Sequence, residues 1–467
     1  MKRNLYPAIL ILFSVVLLSV CFHTRLKAAD DLVPSSDLDP SLQDPCRHEI
    51  FESRQFSGLV VSIQAEEEDL YSEETGILKG QQVPQGREGE CPVRLFVYRQ
   101  DGTPLIAQKA GIRISGASSR SAVRRSFRLI ARSDYDEEHS CFTCDLWNGR
   151  QVLDGTGLPI HEYRSFILHS VRYAMDSTGI HNSVGYALAR KAGMEDASPT
   201  TPAAVYVNGI YQGAYFILPA KNDHALAELY HIENPKDIEF VSVFEEEKTG
   251  IQTSPVVLEE YLSFVDYLHT CDMNDPAVIA RIERQLDVEQ CLEYYAVNLL
   301  LGNGDWLDNN LRVWRCKNNG LPYQDGKWRY FLFDLDWIGS FPDLVADNFR
   351  QATQSEDNYN ILPCLLRNPE YTQLFKEIIA RMERDAFHME MIESVFAQEE
   401  ARMLDEITYD FQSDAFPGYL MYSINSSMPE AEDYLTLEDR QNMIEDFKSH
   451  LLSAPEVIHA CLEVYFP

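Results

Sequence analysis

The chain reads as an α+β protein, with a strand-rich first half and a mainly helical second half. Two observations predict this. Up to about residue 220, short β-branched and aromatic runs alternate with turn signals, whereas beyond about residue 255 apolar residues recur at helical spacing. A third observation concerns chemistry: two acidic clusters, GNGDWLDNN (302–310) and YFLFDLDWIGSF (330–341), interrupt apolar surroundings in the helical half. Carboxylates set in apolar frames are costly to bury without a cation or hydrogen-bond donors.

The elements follow in order. Residues 56–64 (FSGLVVSIQ) are β-branched and open the ordered chain. CPVRLFVYRQDGTPLIAQKAGIRISG alternates apolar and polar residues around a DGT turn, as a hairpin does, and RRSFRLIAR (124–132) is a further strand. NSVGYALARKAGM (182–194) carries Val184, Leu188 and Ala192 at helical spacing. AVYVNGIYQGAYFIL (204–218) is a hairpin of two aromatic and β-branched runs flanking Asn208 and Gly209. The helical half comprises VVLEEYLSFVDYLHT, AVIARIERQLDVEQCLEYYAVNLLL, TQLFKEIIARMERDAF, MEMIESVFAQEEARML and NMIEDFKSHLL.

Composition narrows the class. With 467 residues, 45% hydrophobic and 11% aromatic, the chain has apolar surface for substantial cores. Its 40 basic residues against 73 acidic ones give a net charge of -33. That balance argues against nucleic acid, whose phosphates need cationic counter-charge, and fits a basic partner or metal ions.

Residues 1–30 combine Lys2 and Arg3 with an apolar run from Leu5 to Phe22, as a signal peptide or signal anchor does. Either reading takes the rest of the chain out of the cytoplasm, secreted or membrane-anchored. Residues 31–55 are acidic and proline-bearing, and read as a tether. The expected domains are then a β-rich unit at 56–220 and a mainly helical unit at 221–467.

Nine cysteines follow the leader: Cys46, Cys91, Cys141, Cys144, Cys271, Cys291, Cys316, Cys364 and Cys461. Cys141 and Cys144 form a single CxxC, which lacks the second pair or histidine that a zinc site needs and reads as a local disulfide or inert thiols. His161, His169 and His181 lack spaced partner ligands and read as structural. The acidic runs AEEEDLYSEETG and FEEEK (244–248) read as solvated loops.

The acidic clusters carry the chemistry. Asp305 and Asn310 stand five positions apart, the interval between the catalytic aspartate and metal-binding asparagine of the protein-kinase loop D-x-x-x-x-N, and Asp334 opens a DLD after a strand-like run. Phosphoryl transfer needs such a set: oxygen ligands for a divalent cation and a carboxylate beside the attacking hydroxyl.

Together the motifs resemble the CotH kinase family of spore-coat-type and secreted atypical protein kinases. The similarity lies in AGIRISGASSRSAVRRSFRLIAR, VYVNGIYQGAYFIL, GNGDWLDNNLRVWR, GKWRYFLFDLDWIGSF and CLLRNPEYTQLFKEIIARM, and runs from about residue 56 to the C-terminus. It implies a bilobal kinase-like fold, with ATP and Mg²⁺ or Mn²⁺ between a β-rich N-lobe and a helical C-lobe, acting on protein hydroxyls. By this resemblance Asp305 is catalytic, Asn310 and Asp334 hold metal, and Asp336 is a supporting carboxylate at the metal. Gly116, Ser118, Ser119 and Arg120 cover the phosphates, helped by Arg125. Two positions depart from the pattern. Arg125 stands where the family has lysine, and Pro219 where it has glutamate, which motivates an alternative: a weak or inactive pseudokinase serving surface, coat-assembly or adhesion roles.

Overall fold

The computed structural model describes residues 38–116, 118–171, 176, 178–242, 254–307, 309–339, 343–355, 359–413 and 435–467. The leader, the first part of the acidic tether and the FEEEK run lie outside these.

The strand-rich half closes on itself. After helix α1 (Arg47–Ser53) come β1 (Leu59–Gln64), the short helix α2 (Glu67–Tyr71), β2 (Cys91–Tyr98), β3 (Pro104–Ser115) and β4 (Ser126–Ile130). A two-stranded ribbon, β5 (Phe142–Thr143) and β6 (Glu162–Tyr163), precedes β7 (Ser165–Ser170) and helix α3 (His181–Lys191). The hairpin β8 (Thr201–Val207) and β9 (Ile210–Pro219) follows. Strands join in the order β1-β2-β3-β4-β7-β9-β8, and β8 lies parallel to β1, closing a seven-stranded barrel. Closure leaves this sheet without an exposed edge. It was not expected from the sequence, because pairing between strands some 140 residues apart leaves no local signal.

Side-chain alternation sorts the barrel's faces. Val61, Ile63, Leu95, Val97, Phe127, Leu129, Val205, Val207, Tyr215 and Ile217 fill the interior. The opposite faces of the same strands meet two covers. Val60, Phe96, Tyr98, Ala204 and Tyr206 pack with Leu38, Leu42, Ile50 and Phe51. The segment expected to be a free tether is therefore packed from residue 38 onward: its few apolar side chains are spaced to seal this outer face. Ile167, Ala214, Phe216 and Leu218 join the core of the helical half.

The Asn208–Gly209 turn has φ of 47° and 78°, the left-handed pair that a two-residue hairpin requires, so the expected hairpin forms there. Beyond β9 come α4 (Asp223–Leu229), β10 (Ile238–Ser242), α5 (Pro255–Thr270), α6 (Pro276–Gln285) and α7 (Val288–Leu300). The long apolar run at 277–301 is thus two helices. Leu286 leaves helical geometry, and the Asp287 side chain accepts from the Gln290 N–H to start α7.

Next come β11 (Arg312–Cys316), β12 (Arg329–Tyr330), α8 (Leu344–Gln354), α9 (Leu362–Leu365), α10 (Pro369–Asp385), α11 (Met389–Gln412) and α12 (Leu437–Tyr465). Strands β10, β11 and β12 form a small antiparallel sheet. The strand-like run through YFLFDLDW stops at Tyr330, since Asp334 takes φ of 60° and cannot continue a ladder.

All nine cysteines are free thiols, so Cys141 and Cys144 do not form the local disulfide considered above. Burial raises both thiols, which fits inert groups. His181 is buried in an ion pair with Asp176, the structural role its sequence context predicted.

Candidate active site

The two acidic clusters lie on loops fastened together at both ends. At one end the Gly304 N–H donates to Trp337 O (2.9 Å), and Asn303 bridges Ile338. At the other the Phe331 N–H donates to Arg312 O (3.0 Å). Each loop leaves a buried element, α7 for the first and β12 for the second. Asn298, in the last turn of α7, accepts from the Asn303 amide (2.8 Å), and Asn348 of α8 donates to Asn303 O (2.7 Å).

Within the first loop Asp305 organises the amides. Asn309 Nδ2 donates to both of its carboxylate oxygens (3.1 Å each), and Asn310 Nδ2 donates to its Oδ2 (3.0 Å). Asn310 is 2% exposed, has φ of 52°, and its carboxamide oxygen is buried without a hydrogen-bond partner among the described residues. An amide whose nitrogen is fixed and whose oxygen is left over is poised to give that oxygen to something else.

The second loop is held by α3. The Asp334 N–H donates to the Tyr186 hydroxyl (3.1 Å), and the Leu335 N–H donates to Asn182 Oδ1 (2.9 Å). Asn182 in turn meets His169 Nε2 of β7 (3.3 Å). Gly185 makes this close approach feasible: a Cβ there would stand 2.7 Å from Ile338 Cδ1 and 3.0 Å from Leu335 Cδ1. Burial, then the carboxylates of Asp334 and Asp336, push the Tyr186 hydroxyl far above its ordinary range, so it stays a neutral donor and acceptor. Asp336 is itself buried.

A cation missed in the sequence stands at this loop. Lys221, two residues beyond Pro219 at the end of β9, donates to Asp334 Oδ1 (3.1 Å), and its Nζ lies 4.9 Å from the Phe333 ring centroid. Arg312 donates to Lys221 O (3.1 Å) and stacks over the same ring (4.4 Å). The signal was a lysine directly after the NG hairpin, but no spacing rule tied it to a carboxylate 113 positions later. Asn182 and Tyr186 were hidden for the same reason.

The residues expected to cover the phosphates lie between β3 and β4. Gly116 turns with φ of 103°, and Ser118 and Ser119 enter a single 3-10 turn, Ser118–Ser121. Arg120 donates to the carbonyls of Ile114, Val83 and Pro84 (3.2, 2.9 and 3.0 Å). Arg125 is 3% exposed and donates to Ile77 O (3.0 Å) and Gly80 O (2.7 Å). Both guanidiniums therefore clamp the 76–84 segment through its backbone carbonyls. The expectation that Arg125 takes the lysine's phosphate contact meets a physical obstacle, since carbonyls already occupy its fork.

Among the described residues no three His, Cys, Asp or Glu side chains cluster as a complete metal cage. Oxygen donors on the two fastened loops are the Asn310 carboxamide on the first and Asp334 and Asp336 on the second.

The chain is thus an α+β protein in which two carboxylate- and amide-bearing loops are fastened to each other beside a closed barrel and a helical core. It belongs to the CotH kinase family: the family model described as CotH kinase protein matches residues 112–449, from within β3 to within α12. The match starts well after the residue-56 limit read from the motifs, so α1, β1, β2 and most of β3 precede it. A comparison with curated proteins found no match.

Proposed function

We propose that this protein is an extracytoplasmic protein kinase that moves the γ-phosphate of ATP to protein hydroxyls with Mg²⁺ or Mn²⁺. The observation that carries the reading is the buried Asn310 carboxamide oxygen, without a hydrogen-bond partner among the described residues, on a loop fastened to the loop of Asp334. Oxygen donors of this kind suit a hard divalent cation. In this reading the barrel and helical half act as two lobes with nucleotide between them, and Asp334 and Asn310 hold the metal with support from Asp336. When bound, the ion neutralises phosphate charge.

Asp305 orients the acceptor hydroxyl and takes its proton, while Asn309 and Asn310 fix its carboxylate. Lys221 supplies the cation that Arg125 cannot: it can exchange Asp334 for a phosphate oxygen without leaving the site. Gly116, Ser118 and Ser119 form the small-residue turn beside the phosphates. The acidic chain suits a basic protein substrate.

A second reading, a pseudokinase serving surface or coat assembly, is favoured by the carbonyl-bound Arg120 and Arg125. The test is transfer of labelled γ-phosphate from ATP with Mg²⁺ or Mn²⁺ to a basic carrier protein, with Asp334→Ala as control. Transfer lost in the mutant supports the kinase. A folded protein with neither transfer nor metal-dependent ATP binding leaves the scaffold.

A further inference from the structure

We propose that Arg113 and Arg128, on the outer face of the barrel, form a binding site for a phosphate group, distinct from the two acidic loops. Alternation decides their side. Ile112, Ile114, Phe127 and Leu129 fill the barrel interior, so Arg113 and Arg128 point outward. They are also directly opposite each other in the β3–β4 ladder. Two guanidiniums facing across a ladder repel, and like charges at such positions destabilise a sheet unless a counter-charge joins them.

The neighbouring carboxylates supply it only in part: Glu90 is shared between Arg113 and Arg132, and Asp223 acts on Arg128 from nearby. Glu90 is already engaged by Arg132, through Nε (3.0 Å) and Nη2 (3.4 Å), and by the Tyr135 hydroxyl (2.9 Å). Arg113 forms a looser ion pair with the same buried carboxylate at 3.8 Å. Arg128 donates through Nε and Nη2 to the neutral Ser165 hydroxyl (3.1 and 2.8 Å), and no carboxylate among the described residues forms an ion pair with it. Glu228, nearby, is held mostly by burial at a pKa of about 7, so it is an incomplete anion at neutral pH.

The consequence is visible in the arginines. Burial, followed by the adjacent Arg113, holds the Arg128 guanidinium down at about 10, and Arg113 is lowered by burial as well. Three guanidiniums, Arg113, Arg128 and Arg132, thus share Glu90 and Asp223, in a chain with a large excess of negative charge elsewhere. A phosphate between the two forks would accept from both and complete their counter-charge. The ligand is the phosphate tail of a nucleotide or a free phosphate group, which share this chemistry.

The test uses the purified full-length protein in metal-free buffer with chelator, titrated calorimetrically with inorganic pyrophosphate and, separately, with ATP. Wild type is expected to bind pyrophosphate saturably, and Arg113→Gln and Arg128→Gln are each expected to weaken it about tenfold or more. Tighter binding of ATP than of pyrophosphate assigns the site to the nucleotide; equal binding assigns it to a free phosphate group. No saturable binding by wild type, or unchanged binding in both arginine variants, overturns the proposal. Loss of phosphoryl transfer alone does not.

Discussion

Lys221 and Asp334 form an ion pair at 3.1 Å that ties the end of the barrel's last strand to the second acidic loop. Lys221→Ala is expected to weaken metal-dependent ATP binding about tenfold, the worth of one charge-assisted phosphate contact. Arg125→Met should leave that affinity nearly unchanged and lower stability, because its guanidinium holds the Ile77 and Gly80 carbonyls. Equilibrium binding of ATP to the two variants, beside their thermal unfolding, checks both statements. Reversed affinities would return the phosphate role to Arg125.

Asp305→Asn keeps the size of the side chain and removes the base. Transfer should fall about a hundredfold to ten-thousandfold, the usual contribution of general-base catalysis, with KM for ATP little changed. Initial-rate kinetics measure this. A rate within a few-fold of wild type would remove Asp305 from the proton-accepting role.

Arg124 joins the barrel to α11, donating to Asp410 Oδ2 (2.7 Å) and Oδ1 (3.0 Å) while Asp410 also accepts from the Ala214 N–H (3.3 Å). The pair is almost fully buried. Asp410→Ala should therefore destabilise by about 3–5 kcal/mol, because it strands a buried guanidinium. Arg124→Met combined with Asp410→Leu should recover much of that. Denaturant unfolding of the single and double variants decides, and an additive double variant would mean that the two residues do not act as a pair.

Glu228 gives a pH signature. Burial raises its carboxyl from 4.5 to about 7, against the opposing Arg164 N–H, Arg164 and Arg128, with Glu162 adding to the rise. A carboxyl that binds its proton more tightly in the folded state favours folding at low pH, and that stability is lost as pH rises from about 4.5 to about 7. The loss amounts to about 3 kcal/mol at most. Glu228→Gln should thus raise the melting temperature relative to wild type at pH 8 and leave the difference small or reversed at pH 4.5. A pH-independent difference would show that Glu228 is ionised in the fold throughout.

The α+β class, the β8–β9 hairpin, helix α3 and most of the long helices were legible in the sequence, because period-2 and period-3.6 patterns and an NG turn are local signals. The acidic loops were legible too: their residue types are unusual inside apolar runs, whatever the fold does with them.

Closure of the barrel, the packing of residues 38–55, the engagement of Arg120 and Arg125 by carbonyls, and the placing of Lys221 against Asp334 were decided only in three dimensions. Most of these depend on groups tens to more than a hundred positions apart, or on which side of a strand a charge falls relative to a loop that covers it. Local sequence specifies the alternation of a strand, but not which neighbour completes the sheet or which backbone carbonyl reaches a guanidinium first. Composition and motif thus determined that the chain carries oxygen-rich loops suited to phosphate chemistry. Tertiary packing decided which cation stands beside them, because an ion pair forms wherever desolvation and distance favour it, not where a motif expects it.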